Sequence, residues 1–350
     1  MPDPLIIAEV AQGYEGSAAQ AAALVRAASA AGADAVKLQL VYADELATAG
    51  YEHFALFRKL EMPDESWYGI SQLAGSLGLQ FHLDVFGGRS LELAERLNVG
   101  AIKIHTTDMS NPGLLQAVAA SSVSRILLSV GGCFAPEVDR AVDMLAGKHL
   151  VLLHGFQGYP TPTGANQIFR LRQLASRYGD RPNVLLGFAD HADPDGTQAM
   201  LLAAAALGAG ASVIEKHLTL AKVMKLEDHE SALNPDEFAE FARQMRACRD
   251  ALGLVARDGA SASGVKQGNA SGADFGMHET ERTYRGKTRK HVVAVRDLDA
   301  GTVIAATDVV LKRTPSDVFL QEADEVIGRV LTRAVRRDEA VAPEAIKAPQ

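Results

Sequence analysis

At 350 residues the chain is longer than the roughly 250 that one hydrophobic core usually supports, so a large domain with a smaller companion is expected. Hydrophobic residues make up 47% of it, yet no apolar run approaches the roughly 20 residues of a membrane span and the start, MPDPLIIAEV, lacks the basic residues of a signal peptide, so a soluble, cytoplasmic protein is expected. A net charge of -8 with dispersed Lys and Arg excludes a continuous basic face for nucleic acid, and two cysteines, Cys133 and Cys248, exclude a disulfide framework or a cysteine metal site and are expected to be reduced and buried.

From residue 5 to about 254 one theme repeats, a short apolar run followed by an Ala- and Leu-rich helical stretch. Parallel strands joined by crossover helices produce that rhythm. The predicted strands are Leu5 to Val10, Ala35 to Leu40, Leu79 to Val85, Ala101 to His105, Arg125 to Val130, Leu150 to His154, Val184 to Phe188 and Ser212 to His217. Helical patterns such as SAAQAAALVRAASAAGA and DGTQAMLLAAAALGAGA fall between them, several ending at a Gly suited to a C-cap. Eight such units match a closed (β/α)8 TIM barrel, assigned to residues 1–254. The alternative, a doubly wound open sheet, lacks a Gly-rich dinucleotide turn after the first strand.

Residues 255–287 shift to Gly, Ala, Ser and Asn, as in GASASGVKQGNASGADFG, and read as a linker. Residues 288–350 give short strand-like runs, KHVVAVRDL, GTVIAATDVVLKR and VIGRVLTRAV, and read as a small β-rich domain, marginal alone and expected to dock on something.

Polar residues cluster at the C-terminal ends of the apolar strands, where a barrel places its functional groups: Glu9, Lys37 with Gln39, Asp84, Lys103 with Thr106 and Asp108, Ser129, Asp190 with His191, and Glu215, Lys216 and His217. A lone strand-end lysine is usually a solvated residue. Two of them, Lys37 and Lys103, inside AVKLQL and AIKIH, point to an anionic ligand, because a buried ammonium is costly without an anion. His191 and His217 end neighbouring strands, so two neutral imidazoles can hold a divalent metal there, or else are hydrogen-bonded core histidines. Asp228, in LEDHES on the loop after the last strand, is a candidate contact for a polar substrate or a plain surface carboxylate.

The motifs IIAEV, GADAVKLQ, IKIHTTDMSN, ILLSVGG, LLHGFQGYPTP, GFADH, GASVIEKHLTL and DHESALNPDEF together resemble the N-acetylneuraminate (sialic acid) synthase family over nearly the whole chain. GTVIAATDVVLKR and EVIGRVLTRAV resemble the antifreeze-like (SAF) domain that follows the barrel in that family. The resemblance implies condensation of phosphoenolpyruvate with the open-chain aldehyde of an N-acyl amino sugar or related aldose, giving a nonulosonic or other 3-deoxy-2-keto acid and phosphate. It implies that His191 and His217 bind a divalent ion, Mn2+, and that Lys37, Gln39, Lys103 and Ser129 contact the donor; Thr106 is a further candidate for substrate binding. Glu9 and Asp108 match essential acidic positions, either of which would serve the attacking water, and Tyr159 and Asp228 match sugar contacts. Arg313 matches an arginine delivered to the partner barrel in a domain-swapped homodimer.

Departures from the family pattern fall on the donor side. Asp84 replaces a Thr, Gln157 an Asn and Ala189 a Ser, while Gly13-Tyr14-Glu15-Gly16 replaces Asn-His-Asn-Gly. An Asp facing phosphate repels it unless protonated, turned away or paired with a cation. Two alternatives to the synthase therefore stand: a metal-dependent aldolase or lyase using pyruvate or another keto acid, and a non-catalytic sugar-binding relative.

Overall fold

The computed structural model describes residues 4–155, 158–196, 198–252, 279–315, 320 and 322–348. The chain divides into two compact units, residues 1–268 and 269–350.

The first unit is a TIM barrel. Its strands are β1 (Leu5–Ala11), β2 (Ala35–Gln39), β3 (Gln80–Val85), β4 (Ala101–Ile104), β5 (Arg125–Ser129), β6 (His149–His154), β7 (Val184–Asp190) and β8 (Val213–Leu218). Each pairs in parallel with the next, and β1 pairs with β8, which closes the sheet. All eight strands fall where the alternating pattern placed them, with ends shifted by one or two residues.

The two-residue period of a strand sorts side chains into two apolar layers. Ile6, Ala8, Val36, Leu38, Phe188 and Ile214 face the helices and join the main core. Leu5, Ile7, Ala35, Ala101, Leu127 and Val213 form a smaller cluster inside the barrel. Continuing that inner face toward the C-terminal ends brings Glu9, Lys37, Asp84, Lys103, Ser129, Glu215 and His217 to the mouth of the barrel, and all of them are buried. The inner core therefore turns from aliphatic to ionisable along each strand.

Two backbone features shape the mouth. The β1–β2 register slips between Glu9 and Ala11, a bulge at which Ala11 takes φ 49° and donates its N–H to Glu9 Oε1 at 2.7 Å. A bulge of this kind re-aims a side chain at a strand end. At the end of β5, a Cβ on Gly131 would lie 1.7 Å from the carbonyl oxygen of Gly155, so only glycine permits that close approach.

The second unit has its own apolar cluster, including Val292, Leu298, Ile304, Leu331 and Val341. It contains two antiparallel pairs, His291–Ala294 with Val309–Lys312 and Val330–Leu331 with Ile346–Lys347. Residues 255–278 of the expected linker lie outside the described residues, and its end is helical, Glu279–Thr288, with Glu279 and Glu281 in the first turn where they complement the helix dipole. No helix among the described residues is long and apolar enough to cross a membrane. Cys133 and Cys248 are free as expected but only half-buried, because one lies in the loop after β5 and the other on the helix Pro235–Ala251.

Candidate active site

Five ionisable side chains from β1, β2, β3, β4 and β8 meet inside the barrel mouth. Lys37, with no exposed surface, is hydrogen-bonded to Glu9 Oε2, lies 2.6 Å from Asp84 Oδ1 and is 3.7 Å from Glu215 Oε2. Lys103, 5% exposed, lies 2.7 Å from Glu215 Oε1 and 3.7 Å from Glu9 Oε2. The anion that the two buried lysines require is thus supplied first by the protein itself. Asp84 is paired with a cation, which is how a carboxylate is accommodated in this place.

Burial and pairing pull the carboxylates apart. Desolvation pushes Glu9 up from 4.5 to about 8, with the lysines opposing and Glu215 and Asp84 reinforcing the shift. Glu215 is equally buried, yet Lys103 and Lys37 outweigh its desolvation and hold it well below the usual carboxylate range. Burial also works against the charge on Lys37 and Lys103, but the surrounding carboxylates outweigh it and raise both. Burial thus works against the charge on Glu9, while the ammoniums of Lys37 and Lys103 lie against Asp84 and Glu215.

His191 and His217 stand beside this cluster with ring centroids 5.2 Å apart. Desolvation lowers His191 to about 3 and His217 well below its ordinary value, so both imidazoles are neutral. His191 Nδ1 is buried without a hydrogen-bond partner. Two neutral, adjacent imidazoles, one with an unsatisfied nitrogen, fit a divalent metal ion. Among the described residues no group of three or more His, Cys, Asp or Glu is arranged to hold one, so the protein would supply two ligands and leave the remaining positions to substrate and water. Tyr159 presents its ring edge-on to both histidines, at 4.9 and 5.8 Å.

The outer mouth is a cavity of about 530 Å³ whose lining includes Gln12, Gln39, His105, Asp108, Tyr159 and Asp228. Gln12 Nε2 donates to Gln39 Oε1 at 2.8 Å. Asp228 is held at φ 65°, a left-handed conformation that Asp tolerates, and desolvation raises it to about 6. It is a mouth residue rather than a plain surface carboxylate. Asp108, half-buried, accepts from Asn111 Nδ2 at 3.1 Å and Thr107 Oγ1 at 3.3 Å. Thr106 Oγ1 donates to the Gly131 carbonyl at 2.9 Å, and Ser129 is buried at the end of β5.

The departing GYEG loop does not present a polar face. Tyr14 is fully buried, edge-on to Trp67, and its hydroxyl donates to the Gln39 carbonyl at 2.9 Å, which anchors the end of β2. Gln157 lies outside the described residues. Arg313, in the second unit just past Val309–Lys312, is exposed, and its Nε donates to the Thr288 carbonyl at 3.1 Å.

Gln12 and His105 also belong to this site without being among the strand-end polar residues, and Glu215, which is among them, gains a specific role as the partner of both lysines. The alternation VIEKHL puts Glu215 on the same face as His217. Gln12 and His105 follow their strands, where no period places a side chain.

The NeuB family profile matches residues 24–257 and the SAF domain profile residues 289–347. The chain belongs to the NeuB family. It is 28% identical over 348 residues, covering 93% of this chain and 90% of the relative, to an N,N'-diacetyllegionaminic acid synthase of Legionella pneumophila. It is 30% identical over 254 residues, 69% of this chain and 66% of the relative, to the spore coat polysaccharide biosynthesis protein SpsE of Bacillus subtilis. Among solved structures, a putative spore coat polysaccharide biosynthesis protein E from Chromobacterium violaceum superposes with a TM-score of 0.78 at 23% identity, covering 98% of this chain and 99% of that one, a likeness of fold.

Proposed function

We propose that this NeuB-family chain is a synthase that condenses phosphoenolpyruvate with the open-chain aldehyde of an N-acyl amino sugar or related aldose, releasing phosphate and forming a nonulosonic or other 3-deoxy-2-keto acid. The observation that carries this reading is the meeting of Lys37, Lys103 and Glu9 with the neutral His191–His217 pair at one barrel mouth. Relatives named as legionaminic, pseudaminic and N-acetylneuraminate-9-phosphate synthases support the reaction class.

His191 and His217 would hold a divalent ion, read as Mn2+, which supplies Lewis acidity toward the aldehyde oxygen. Lys103, which keeps slight exposure, would meet the donor first, while Lys37, with none, is held between Glu9 and Asp84. Tyr159 and Asp228 line the cavity where the sugar hydroxyls would lie. Water must add at the former C2 of the donor as positive charge develops there. Glu9, whose two oxygens accept from Ala11 N–H and Lys37 Nζ, or Asp108, in the cavity wall, would orient and deprotonate that water. A homodimer in which Arg313 completes the partner's mouth is part of this reading.

The Lys37–Asp84 pair favours a second reading, an aldolase or lyase with a less charged keto-acid donor, because Asp84 adds a further carboxylate against the two lysines, Lys103 being paired already with Glu215. A phosphate-release assay with phosphoenolpyruvate, Mn2+ and a panel of aldoses separates them. Release that depends on both the aldose and the metal supports the synthase. Consumption of pyruvate with the same aldoses, and no phosphate from phosphoenolpyruvate, overturns it in favour of the second reading.

A further inference from the structure

Asp190 and Lys216 immediately precede His191 and His217, are register partners on β7 and β8, and are fully buried. By the strand period they face the helices, on the side where Phe188 and Ile214, two residues earlier, join the main core. An ion pair stands where the pattern calls for aliphatic side chains, with Lys216 Nζ 3.4 Å from Asp190 Oδ1. Such a pair adds little net stability over apolar residues of equal volume, because desolvating both charges offsets their attraction.

Its contacts show another use. Asp190 Oδ1 accepts from the Ala192 N–H at 2.8 Å, and Lys216 Nζ donates to the Ala192 carbonyl at 3.1 Å. The His191 carbonyl is held twice, by the Thr161 N–H at 2.7 Å and by Ser231 Oγ at 3.0 Å. The backbone that carries the His191 side chain is thus gripped from β7, from β8 and from the segments that follow β6 and β8. A metal-binding imidazole is ordinarily oriented by a hydrogen bond from its second nitrogen to a carboxylate or carbonyl behind it. His191 Nδ1, buried and without a partner, makes no such bond.

We propose that Asp190 and Lys216, together with Ser231, are positioning residues for the His191–His217 pair, holding the backbone on which the imidazoles stand and thereby setting the affinity of the site for a divalent ion. This rests on the reading above that the two histidines bind such an ion. Lys216 and Asp190 act through the main chain and from the helix-facing side of the sheet.

The test is titration of the full chain with Mn2+, read by the electron paramagnetic resonance of the free ion, for the parent, His217→Ala, Ser231→Ala, Lys216→Met and the double variant Asp190→Asn/Lys216→Met. Loss of a residue that orients a ligand typically weakens metal binding about 10- to 100-fold, the expectation for Lys216→Met. Removal of the single Ser231 hydrogen bond is expected to weaken it roughly 2- to 10-fold. The double variant leaves no uncompensated buried charge, so it recovers the melting temperature lost in Lys216→Met but not the Mn2+ affinity. That split separates positioning from folding, and with Ser231→Ala it carries the test should Lys216→Met not fold. If the parent binds Mn2+ through His217 and the double variant and Ser231→Ala bind it as tightly as the parent, the positioning role falls alone. If the parent shows no His217-dependent Mn2+ binding, the metal reading falls and the positioning role with it.

Discussion

Lys37 and Asp84, on neighbouring strands of the barrel, are joined by a 2.6 Å contact with no exposed surface on either side chain. The pair makes this side of the mouth self-neutralising. A phosphate or carboxylate that uses Lys37 must compete with Asp84 for it.

Asp84→Asn is therefore expected to strengthen donor binding. Lys37 keeps Glu9 and Glu215 as counter-charges, and loss of the Asp84 charge removes one of the influences that raise Glu9, so Glu9 ionises more readily and the barrel stays folded. The KM for phosphoenolpyruvate should fall roughly tenfold, the scale of one charge-assisted contact regained, with kcat little changed. Steady-state kinetics check this. An unchanged or higher KM means that Asp84 does not compete with the donor.

Glu9 predicts a pH dependence of stability. Its carboxyl ordinarily titrates near 4.5 but in the folded chain near about 8, so between these values the folded state binds the proton more tightly than the unfolded state. Its contribution is fully present below the lower value and is lost as pH rises through the upper one. Glu215, held low, works in the opposite sense and loses its contribution only as pH falls below the ordinary carboxylate range. In thermal unfolding across this window, the midpoint of Glu9→Gln should gain on that of the parent as pH rises. A constant offset between the two would contradict the raised Glu9.

Gly131→Ala tests the crowding at the ends of β5 and β6. A methyl group 1.7 Å from the Gly155 carbonyl oxygen forces backbone movement, and overpacking of this kind costs about 1–3 kcal/mol. Thr106 is hydrogen-bonded to the Gly131 carbonyl, so the displacement also reaches the mouth. Calorimetry should show a lowered melting temperature, accompanied by a lowered kcat. Unchanged values in both would show that the strand ends yield easily.

The swapped assembly is tested by mixing. His191→Ala and Arg313→Ala are each expected to be inactive alone. After subunit exchange, a swapped heterodimer contains one barrel with intact histidines served by an intact Arg313, so part of the activity should return. If nothing returns although mass measurement confirms heterodimers, Arg313 acts within its own chain or not at all.

The strand count, their parallel order and the level at which chemistry sits were legible in the amino-acid sequence, because a buried parallel strand needs a continuous apolar run and any charge at its C-terminal end interrupts that run visibly. Lys37 in AVKLQL and His217 in VIEKHL are such interruptions. Partnership was not legible. Whether Lys37 awaits a ligand or already has Asp84 depends on the shear that sets residue 37 of β2 beside residues 9 and 82 of its neighbours. Glu9 and Glu215 carry the same carboxyl group, and only the tertiary structure decides that one is pushed up toward protonation while the other is held ionised. For Glu9 desolvation outweighs the two lysines, whereas for Glu215 the same lysines, with the Lys103 hydrogen bond at 2.7 Å, outweigh desolvation.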